Sequence, residues 1–367
     1  MPAVSLLIKP ASGMCNLRCR YCFYYDITTK REFPSYGFMT GETLEILVQK
    51  TLSFAEGSCT FAFQGGEPTL VGLPFYQRLI ELEERYNIHQ VQILNTLQTN
   101  GFLIDDEWAA FLSAHHFLVG LSLDGIKSTH DCFRKDASGN GTFDRIMKTI
   151  RLFNTHKVEY NILTVVHKET ARKAGRIYSF YKKNGLQYLQ FIACLDPLGE
   201  LQGHREYSLT PQDYGSFLCE IFDLWYADLQ KGEQPFIRQF ENYIAILLGR
   251  IPEACEQRGV CSFQHIVEAD GSVYPCDFYV TDAYRLGNLR VDSFADIAHT
   301  CETLGFIQES LNHPETCKRC PYFALCRGGC RRHRELSEDH LNYFCKGYQM
   351  FFAHALPRLM EIARYCR

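Results

Sequence analysis

Hydrophobic and polar positions alternate in two different ways along the first two thirds of the chain. Short apolar runs, rich in β-branched and aromatic residues, end mostly at Gly, Asn, Asp or Pro and predict six strands: residues 4–9, 60–64, 91–96, 117–123, 160–166 and 188–194. Between them, apolar residues recur at helical spacing and predict helices over residues 41–55, 73–86, 106–115, 143–156 and 171–184. This alternation predicts an α/β fold with a parallel sheet and right-handed crossovers.

Six strand–helix units are too few for a complete eight-stranded barrel, so we expect a partial (βα)6 TIM-like barrel. An amphipathic helix over residues 211–230 follows, with Thr210 as its N-cap and Pro211 at its first position. Beyond residue 232 cysteines accumulate, and apolar runs over residues 262–269 and 272–274 predict a β-hairpin. We therefore predict a barrel domain over residues 1–232 and a small cysteine-rich domain over residues 233–367, which contains the hairpin and a C-terminal helix.

The composition is that of an ordinary globular protein, with 46% hydrophobic and 22% charged residues, and it excludes wholesale disorder. The formal charge of −4, from 38 basic and 42 acidic residues, gives no overall basic field for binding nucleic acid. No uncharged apolar stretch reaches the roughly 18 residues of a membrane span, and the N-terminus lacks the pattern of a signal peptide. We therefore expect a cytoplasmic protein, with no membrane partner, whose 17 cysteines ligate metal or take part in catalysis.

Three cysteines lie close together directly after the first predicted strand, in the sequence Cys15-Asn-Leu-Arg-Cys19-Arg-Tyr-Cys22. Three thiolates on one loop can hold three irons of a 4Fe-4S cluster and leave the fourth iron open, as a catalytic site requires. The C-terminal end of a barrel strand is also where barrel enzymes place their active sites. The alternatives are a zinc site completed by a distant ligand and plain buried thiols.

This motif, with an aromatic residue before its third cysteine, resembles the signature of radical S-adenosylmethionine enzymes. The resemblance implies that the open iron binds S-adenosyl-L-methionine and that the cofactor is cleaved to a 5'-deoxyadenosyl radical. The next predicted strand ends in Gln64-Gly65-Gly66-Glu67-Pro68, which matches the segment of that family that binds the ammonium group of the cofactor. By the same resemblance, the residues at the cofactor are Tyr21, Gly66, Ser122, Arg134 and Leu195. Ordinary packing at strand ends is the alternative for each of them.

A second group of cysteines occupies the C-terminal third of the chain. Eight thiolates make two complete sets of four, which suits either two fully ligated 4Fe-4S clusters or two zinc sites. The pattern from Cys261 to Cys345 resembles the SPASM domain of radical enzymes that modify peptides and proteins. That resemblance implies two auxiliary clusters, one held by Cys255, Cys261, Cys276 and Cys330 and the other by Cys317, Cys320, Cys326 and Cys345. Cys255 lies outside the seven-cysteine pattern, so Cys301 and Cys366 are its rivals.

Fully ligated clusters have no open position for a substrate, so we expect them to transfer electrons during an oxidation. The radical removes only one electron with its hydrogen atom, and a base must take the remaining proton. Asp277, which directly follows Cys276, is the candidate base. The alternative is that its side chain caps a turn.

Residues 6–10, 61–68, 272–277 and 326–330 together resemble the anaerobic sulfatase-maturating enzymes, and the resemblance runs nearly end to end. It implies the oxidation of an active-site Cys or Ser of a sulfatase to Cα-formylglycine, with hydrogen abstraction at Cβ and Asp277 as the proton acceptor. It also implies a sulfatase polypeptide with a Cys-x-Pro-x-Arg or Ser-type motif as the substrate, and a flavodoxin or ferredoxin as the reductant.

Two other functions compete with this one. Another SPASM-type maturase would act on a different ribosomally made peptide, for example by forming a thioether crosslink. A non-enzymatic electron carrier, or a zinc-stabilised binding protein, gives no reason for the open three-cysteine loop.

Two further features have structural interpretations. The basic run over residues 327–334 is typical of a solvated face rather than of a substrate site. The pair Tyr24-Tyr25 is expected either to wall the peptide pocket or to pack within a barrel loop.

Overall fold

The computed structural model describes residues 3–337 and 339–366 of the chain. The strands among these residues are β1 (Val4–Ile8), β2 (Ser58–Phe63), β3 (Gln92–Thr99), β4 (Leu118–Ser122), β5 (Glu159–Val166), β6 (Tyr188–Ala193), β7 (Phe236–Ile237), β8 (Ile266–Val267), β9 (Ser272–Tyr274) and β10 (Gly287–Asn288). All six strands predicted for the first two thirds of the chain are confirmed, as β1 to β6.

The α-helices of the described residues are α1 (Phe23–Thr28), α2 (Gly41–Phe54), α3 (Leu73–Tyr86), α4 (Asp106–Ala114), α5 (Lys127–Phe133), α6 (Phe143–His156), α7 (Lys168–Ala171), α8 (Ala174–Lys183), α9 (Pro211–Leu229), α10 (Arg238–Leu247), α11 (Phe294–Leu304), α12 (Phe306–Glu309), α13 (Glu315–Lys318), α14 (Phe323–Cys326) and α15 (Cys345–Tyr365). The helix predicted over residues 171–184 is wrong at its beginning, because the helical backbone breaks between α7 and α8. The predicted N-cap of α9 is confirmed, since the Thr210 hydroxyl accepts a hydrogen bond from the Asp213 amide at 3.0 Å.

The chain divides into two compact units that interleave along the sequence. The first unit takes in the described part of Met1–Ser122 together with Arg134–Tyr160 and Phe263–Gly305, and the second takes in Leu123–Phe133, Asn161–Ser262 and the described part of Phe306–Arg367. The domain boundary at residue 232 stays a prediction.

The sheet of the first unit places a hairpin from the cysteine-rich region beside the first strand of the chain. Its strands follow the order β10-β9-β8-β1-β2-β3-β4. Strands β1 to β4 are parallel, β8 pairs in parallel with β1 through Leu7 and Ile266, and β8 and β9 form the predicted antiparallel hairpin. The first strand of the hairpin is only Ile266–Val267, so the run predicted over residues 262–269 is too long. Through this pairing Tyr274, the last residue of β9, lies level with Leu7 of β1, with Ile266 of β8 between them.

The core of the first unit is formed by every second residue of its strands. In β2 every second residue is buried, and Phe61 and Phe63 are wholly inaccessible to solvent. Phe63 packs edge-to-face on Tyr76 of α3, with ring centroids 5.1 Å apart, and Tyr76 packs in turn on Trp108 of α4. Rigid aromatic packing beneath the sheet therefore fixes the strand ends that carry the polar residues described below.

The second unit combines the parallel strands β5, β6 and β7 with the long helices α9, α10 and α15. Its core is aromatic: Phe240 of α10 lies 5.1 Å from Trp225 and 5.2 Å from Phe222, both on α9, and 5.8 Å from Phe351 on α15. The predicted C-terminal helix is confirmed as α15, which begins at Cys345. No described helix combines the length and the apolarity that crossing a bilayer requires.

Candidate active site

The three-cysteine loop lies between β1 and α1 in the first unit. Two of its sulfur atoms accept backbone hydrogen bonds: Sγ of Cys15 from Leu17, and Sγ of Cys22 from Tyr25, each at 3.4 Å. Burial, with smaller contributions from Glu67 and the neighbouring Cys22 thiol, raises the pKa of Cys15 to about 12. Amide donors aimed at sulfur stabilise a thiolate once a metal replaces its proton, so these residues fit an iron–sulfur cluster.

A turn that begins at Arg134 pairs with the cysteine loop through backbone contacts. The Arg18 amide donates to the Lys135 carbonyl at 2.7 Å, and Leu17 forms an antiparallel bridge with Asp136. The Arg134 guanidinium carbon lies 5.5 Å from the centroid of the Tyr21 ring, within cation–π range. The structure therefore brings together Tyr21 and Arg134, two of the predicted cofactor residues.

The Gly-Gly-Glu-Pro turn after β2 packs directly against the start of the cysteine loop. Gly66 has a φ of 56°, and a Cβ atom at this position would lie 2.1 Å from the Met14 carbonyl oxygen. The next residue, Glu67, donates its amide to the same carbonyl at 2.8 Å. Only glycine fits here, because the missing side chain lets the turn pack directly against the backbone of the cysteine loop.

A buried carboxylate below this turn organises the polar residues at the strand ends. Glu67 is 1% exposed and accepts hydrogen bonds from the Thr99 hydroxyl at 2.7 Å and the Asn100 amide at 2.8 Å. Burial raises the pKa of Glu67, against the effect of these donors. The Asn100 side chain donates to Asn16 at 2.8 Å and lies 3.8 Å from the Cys15 sulfur. Glu67 and Asn100 thus tie the ends of β2 and β3 to the cysteine loop, a link that the sequence alone did not indicate.

Ser122 and Leu195 lie at strand ends in different units. Ser122 is the last residue of β4 in the first unit, and Leu195 follows β6 in the second. Each is 8% exposed. Their positions at the carboxyl ends of strands agree with the prediction, and their contact with a cofactor stays a prediction.

Asp277 belongs to the first unit and sits in a buried ionic contact. One carboxylate oxygen pairs with the Lys9 ammonium, and the other accepts a hydrogen bond from the Gln64 side chain at 2.8 Å. Lys9 is fully buried, whereas Asp277 retains 8% exposure. These side-chain partners argue against the alternative that Asp277 caps a turn. Lys9 and Gln64 were missed from the sequence, although each directly follows an apolar strand.

A second buried ionic contact is linked through Tyr24 to the contact between Lys9 and Asp277. The Lys9 ammonium is 3.8 Å from the centroid of the Tyr24 ring, and the Tyr24 hydroxyl donates to Glu268. Glu268 also pairs with Arg31, and neither of these two side chains is accessible to solvent. Two buried cations therefore face two buried carboxylates, which is the arrangement in which buried charge is tolerated. The two tyrosines of the predicted pair Tyr24-Tyr25 differ in exposure, because Tyr24 is buried whereas Tyr25 is 63% exposed.

One set of thiols in the second unit comprises Cys255, Cys261 and Cys330. Burial raises the pKa of Cys330, and the nearby Cys255 and Cys261 thiols act in the same direction. The Cys261 amide donates to the hydroxyl of the buried Ser310 at 2.9 Å. Cys255 thus lies near Cys261 and Cys330, and the role of the three as ligands of one cluster stays a prediction. Cys276, the fourth predicted ligand of this set, belongs to the first unit.

The other set in this unit comprises Cys317, Cys320, Cys326 and Cys345. Burial raises the pKa of Cys326 to about 12, with smaller effects from the other three thiols. Asp339 lies near enough to Cys317 and Cys345 to raise the pKa of each, although burial is the main cause. All four predicted members of this set are therefore gathered in one place.

A sharp turn separates the two sets. Arg327, Gly328 and Gly329 all have left-handed backbone, with φ values of 51°, 82° and 65°. The turn is held by Asn342, whose side chain donates to the Gly328 carbonyl at 3.1 Å. Two consecutive glycines allow this reversal at little steric cost, so Cys326 joins one set of thiols and Cys330 the other.

None of the cysteines in the described residues forms a disulfide. Among the same residues, no group of three or more His, Cys, Asp or Glu side chains is gathered tightly enough to hold a single metal ion. A 4Fe-4S cluster binds each thiolate to a different iron, so its ligands stand farther apart than those of one zinc ion.

The prediction of a solvated face for residues 327–334 is wrong, because Arg332 and Arg334 are buried. Arg334 donates to the Ser310 and Asn312 carbonyls at 2.7 and 2.8 Å, and Arg332 donates to the Asp196 carbonyl at 2.9 Å. These arginines donate hydrogen bonds to backbone carbonyl oxygens in loops, where no helix or sheet supplies a donor. A count of charges along the sequence does not reveal such carbonyl partners.

Comparisons with known families and structures agree with this geometry. Residues 10–181 match the radical SAM superfamily, and residues 255–321 match the SPASM iron-sulfur cluster-binding domain. A solved structure of native anSMEcpe with bound AdoMet and Cp18Cys peptide superposes with a TM-score of 0.95 at 48% identity, covering 100% of both chains. The structure of Streptococcus suis SuiB bound to its precursor peptide SuiA, at 18% identity and a TM-score of 0.66, covers 93% of this chain and 75% of that one and shares the fold.

Curated relatives extend over nearly the whole chain. The cysteine-type anaerobic sulfatase-maturating enzyme of Clostridium perfringens (strain 13 / Type A) is 50% identical over 99% of both chains. The cysteine-type enzyme of Clostridium novyi (strain NT) is 46% identical over 99% of this chain and 98% of its own. The serine-type enzyme of Bacteroides thetaiotaomicron is 32% identical over 96% of this chain and 89% of its own. On this likeness and on the thiol loop that it shares with the radical SAM superfamily, the chain belongs to the family of anaerobic sulfatase-maturating enzymes.

Proposed function

We propose that this protein oxidises the active-site cysteine of a sulfatase to Cα-formylglycine by radical S-adenosylmethionine chemistry. The observation that carries the proposal is the buried carboxylate of Asp277, fixed by Lys9 and Gln64 in the same unit as the three-cysteine loop. A positioned base is what such an oxidation needs besides a source of radicals. The full-length relatives named above support the same activity.

The first step is the binding of the cluster and its cofactor. Cys15, Cys19 and Cys22 would hold a 4Fe-4S cluster with one iron left open, and S-adenosyl-L-methionine would bind there. The cofactor is contacted by Tyr21, Gly66, Ser122, Arg134 and Leu195. Support comes from the side-chain-free Gly66 turn and from the contact between Arg134 and Tyr21. When bound, this pair supplies the 5'-deoxyadenosyl radical that takes a hydrogen atom from Cβ of the target cysteine.

Asp277 takes the proton of the substrate thiol. The oxidation removes two electrons, one with the hydrogen atom and one alone, and a thioaldehyde is left once the proton has also gone. Lys9 and Gln64 each hold one carboxylate oxygen, so the group cannot rotate away from the substrate. Water then hydrolyses the thioaldehyde to the aldehyde and releases sulfide.

Two auxiliary 4Fe-4S clusters would supply the acceptor for the remaining electron. One is held by Cys255, Cys261, Cys276 and Cys330, and the other by Cys317, Cys320, Cys326 and Cys345. Both sets have four thiolates, which leaves no position open to a substrate and suits electron transfer. The proximity of the four thiols around Cys326 supports the second set.

The substrate is a sulfatase peptide of the cysteine type. The cysteine-type relatives are 46% to 50% identical to this chain, whereas the serine-type enzyme of Bacteroides thetaiotaomicron is 32% identical. The rival activity, crosslinking of another ribosomal peptide, has the support only of a fold shared at 18% identity. The reductant is a flavodoxin or ferredoxin, and the site of action is the reducing cytoplasm, in keeping with 17 cysteines that form no disulfide.

An anaerobic turnover tests the proposal. Cluster-reconstituted protein, S-adenosyl-L-methionine and dithionite are mixed with a peptide that contains Cys-x-Pro-x-Arg, and mass spectrometry measures formylglycine and 5'-deoxyadenosine. We expect both products in equal amounts. Formation of 5'-deoxyadenosine without aldehyde would contradict the sulfatase assignment, and a mass loss of two without hydrolysis would favour a crosslinking maturase.

A further inference from the structure

One amide side chain of the first unit contacts a sulfur atom of the three-cysteine loop. Asn100 directly follows β3, and its Nδ2 atom donates to the Cys15 sulfur at 3.8 Å. The Leu17 amide donates to the same sulfur at 3.4 Å. Asn100 is 8% exposed, so water competes little for this contact. The Cys15 sulfur therefore has one donor from its own loop and a second from the end of a neighbouring strand.

The orientation of the Asn100 amide is fixed by its partners. The oxygen and nitrogen ends of an asparagine are told apart by the groups that they meet. The Phe102 backbone amide, which can only donate, lies 2.9 Å from one end of the Asn100 side chain, so that end is the oxygen. The other end is the nitrogen, and it donates to the Asn16 side-chain oxygen at 2.8 Å. Its two hydrogens thus have two acceptors, Asn16 and the Cys15 sulfur.

The backbone of Asn100 is held as firmly as its side chain. Its amide donates to the carboxylate of Glu67 at 2.8 Å, and Glu67 is 1% exposed. The Thr99 hydroxyl donates to the same carboxylate at 2.7 Å. A donor that is fixed in this way stays aimed at the sulfur, and in a buried setting it acts strongly on nearby charge.

Asn16 carries a donor that the protein itself leaves unused. Because the Asn16 oxygen accepts from Asn100, its nitrogen lies at the opposite end of the amide. This buried nitrogen has no hydrogen-bond partner among the residues that the structure describes. A buried donor without an acceptor is unfavourable, and Asn16 directly follows Cys15 in the chain. The sulfur atoms of a cluster held by Cys15 would be new acceptors near this group.

We propose that Asn100, oriented by Phe102 and Asn16, donates an N–H···S hydrogen bond to the Cys15 thiolate and thereby raises the reduction potential of the catalytic 4Fe-4S cluster. This inference rests on the proposed assignment of Cys15, Cys19 and Cys22 to that cluster. Reduction adds one electron from the external reductant and increases the negative charge on sulfur. A fixed donor therefore stabilises the reduced cluster more than the oxidised one.

Asn100 is a positioning residue in this account, since it acts through Cys15. Its function is to bring the cluster within reach of a reductant. A residue that only braced the loop would contribute to stability and leave the potential unchanged, so the potential is the quantity that separates the two roles.

The experiment is an anaerobic redox titration of the full-length, cluster-reconstituted protein, followed by electron paramagnetic resonance. The catalytic cluster is identified as the one whose signal changes when S-adenosyl-L-methionine is added, because only an open iron binds the cofactor. The variants are Asn100→Leu, which has a similar shape but no donor, and Asn100→Asp, which replaces the donor by an anionic acceptor.

We expect the potential of the catalytic cluster to fall in the order unmodified protein, Asn100→Leu, Asn100→Asp. At a fixed applied potential, the ratio of reduced to oxidised catalytic cluster should fall by about threefold to tenfold in Asn100→Leu and further in Asn100→Asp. A tenfold change corresponds to a shift of about 59 mV for a one-electron couple.

Two controls accompany the titration. The auxiliary clusters of each variant should keep their potentials. The matched variant is Asn87→Leu in the same unit, which loses the hydrogen bonds of Asn87 with the Val91 backbone at 2.9 and 2.8 Å. It should lower stability without moving any potential. If Asn100→Leu takes up less iron, the comparison of Asn100→Asp with the unmodified protein carries the same expectation.

Equal potentials in the unmodified protein and both Asn100 variants would overturn the proposal, and so would an equal shift in the auxiliary clusters. A shift that appears only with S-adenosyl-L-methionine bound would place the contact on the cofactor and would also overturn it. If no signal of the unmodified protein responds to S-adenosyl-L-methionine, the proposed function itself is contradicted. A responsive signal with an unshifted potential contradicts the role of Asn100 alone.

Discussion

The two units both bury positive side chains near their cysteines, but those charges have different partners. In the first unit Lys9 and Arg31 face the carboxylates Asp277 and Glu268. In the second unit Arg334 donates to backbone carbonyls of the loop that supports Cys261. A buried cation that faces a carboxylate controls a group that can exchange a proton, whereas one that faces carbonyls fixes the shape of a loop. Under the proposed function, this difference assigns proton transfer to the first unit and a rigid scaffold for electron transfer to the second.

The largest effect should follow the loss of the carboxylate itself. Asp277→Asn keeps the hydrogen bond from Gln64 within reach but cannot accept a proton, so formylglycine formation should fall by about 10³-fold. Formation of 5'-deoxyadenosine should persist, since hydrogen abstraction does not need the base. Mass spectrometry of both products measures this. Asp270→Asn, in the turn of the same hairpin, is the control and should keep both activities; parallel loss of both products in Asp277→Asn would contradict the assignment.

Removal of the cation that faces Asp277 should have the next largest effect. Lys9→Met keeps an unbranched side chain at this buried position but removes the ammonium that contacts Asp277 and the Tyr24 ring. We expect aldehyde formation to fall by about 10²-fold, because the carboxylate loses the partner that fixes one of its oxygens. The ratio of aldehyde to 5'-deoxyadenosine checks this, with Lys30→Met on the surface as the control. An unchanged ratio would contradict the positioning role of Lys9.

In the second unit, removal of a buried cation should affect stability rather than chemistry. Arg334→Met leaves the Ser310 and Asn312 carbonyls unsatisfied and should lower the free energy of unfolding by about 2–4 kcal/mol. Because the Ser310 hydroxyl accepts from the Cys261 amide, the iron content should fall as well. Thermal unfolding and iron analysis measure the two effects. The exposed Arg250→Met should change neither, and a stable, fully loaded Arg334→Met protein would contradict the scaffold role.

The smallest effect concerns a partly buried histidine in the first unit. Burial lowers the pKa of His265 to about 4, and its ring packs on Phe263 and Phe294. The unfolded chain takes up a proton at this side chain below about pH 6.5 while the folded protein does not, so stability is present above that pH and is lost towards pH 4. His265→Phe should remove up to about 1 kcal/mol per pH unit of this acid dependence. Melting temperatures from pH 7 to pH 5 test it; equal slopes in both proteins would contradict it.

The sequence predicted those parts of the fold that repeat locally. Strands β1 to β6 were predicted because each is a short apolar run between turn residues. The parallel pairing of β8 with β1 was not predicted, because two residues of strand give no periodic signal and the partners are separated by most of the chain. That pairing places the hairpin that precedes Asp277 beside β1. The contact between Asp277 and Lys9 therefore depends on the least predictable part of the sheet.

The sequence predicted those parts of the candidate site whose chemistry is indicated by residue types and their spacing. The cysteine loop and the Gly-Gly-Glu-Pro turn were found in this way, since thiols and glycines have few other uses in such patterns. Lys9 was missed because a lysine at the end of a strand normally reaches solvent. The buried arginines between residues 327 and 334 were misinterpreted for the same reason. The distribution of charge along a sequence does not indicate which charged side chains are buried with partners in the fold.

The most direct test of the account uses a Cys-x-Pro-x-Arg peptide whose cysteine carries deuterium at Cβ. After one anaerobic turnover, mass spectrometry measures deuterium in 5'-deoxyadenosine and the aldehyde in the peptide. The account predicts one deuterium per 5'-deoxyadenosine, one aldehyde for each, and, for Asp277→Asn, deuterium transfer without aldehyde. Deuterium-free 5'-deoxyadenosine, or an Asp277→Asn protein that still makes aldehyde at the normal rate, would contradict it.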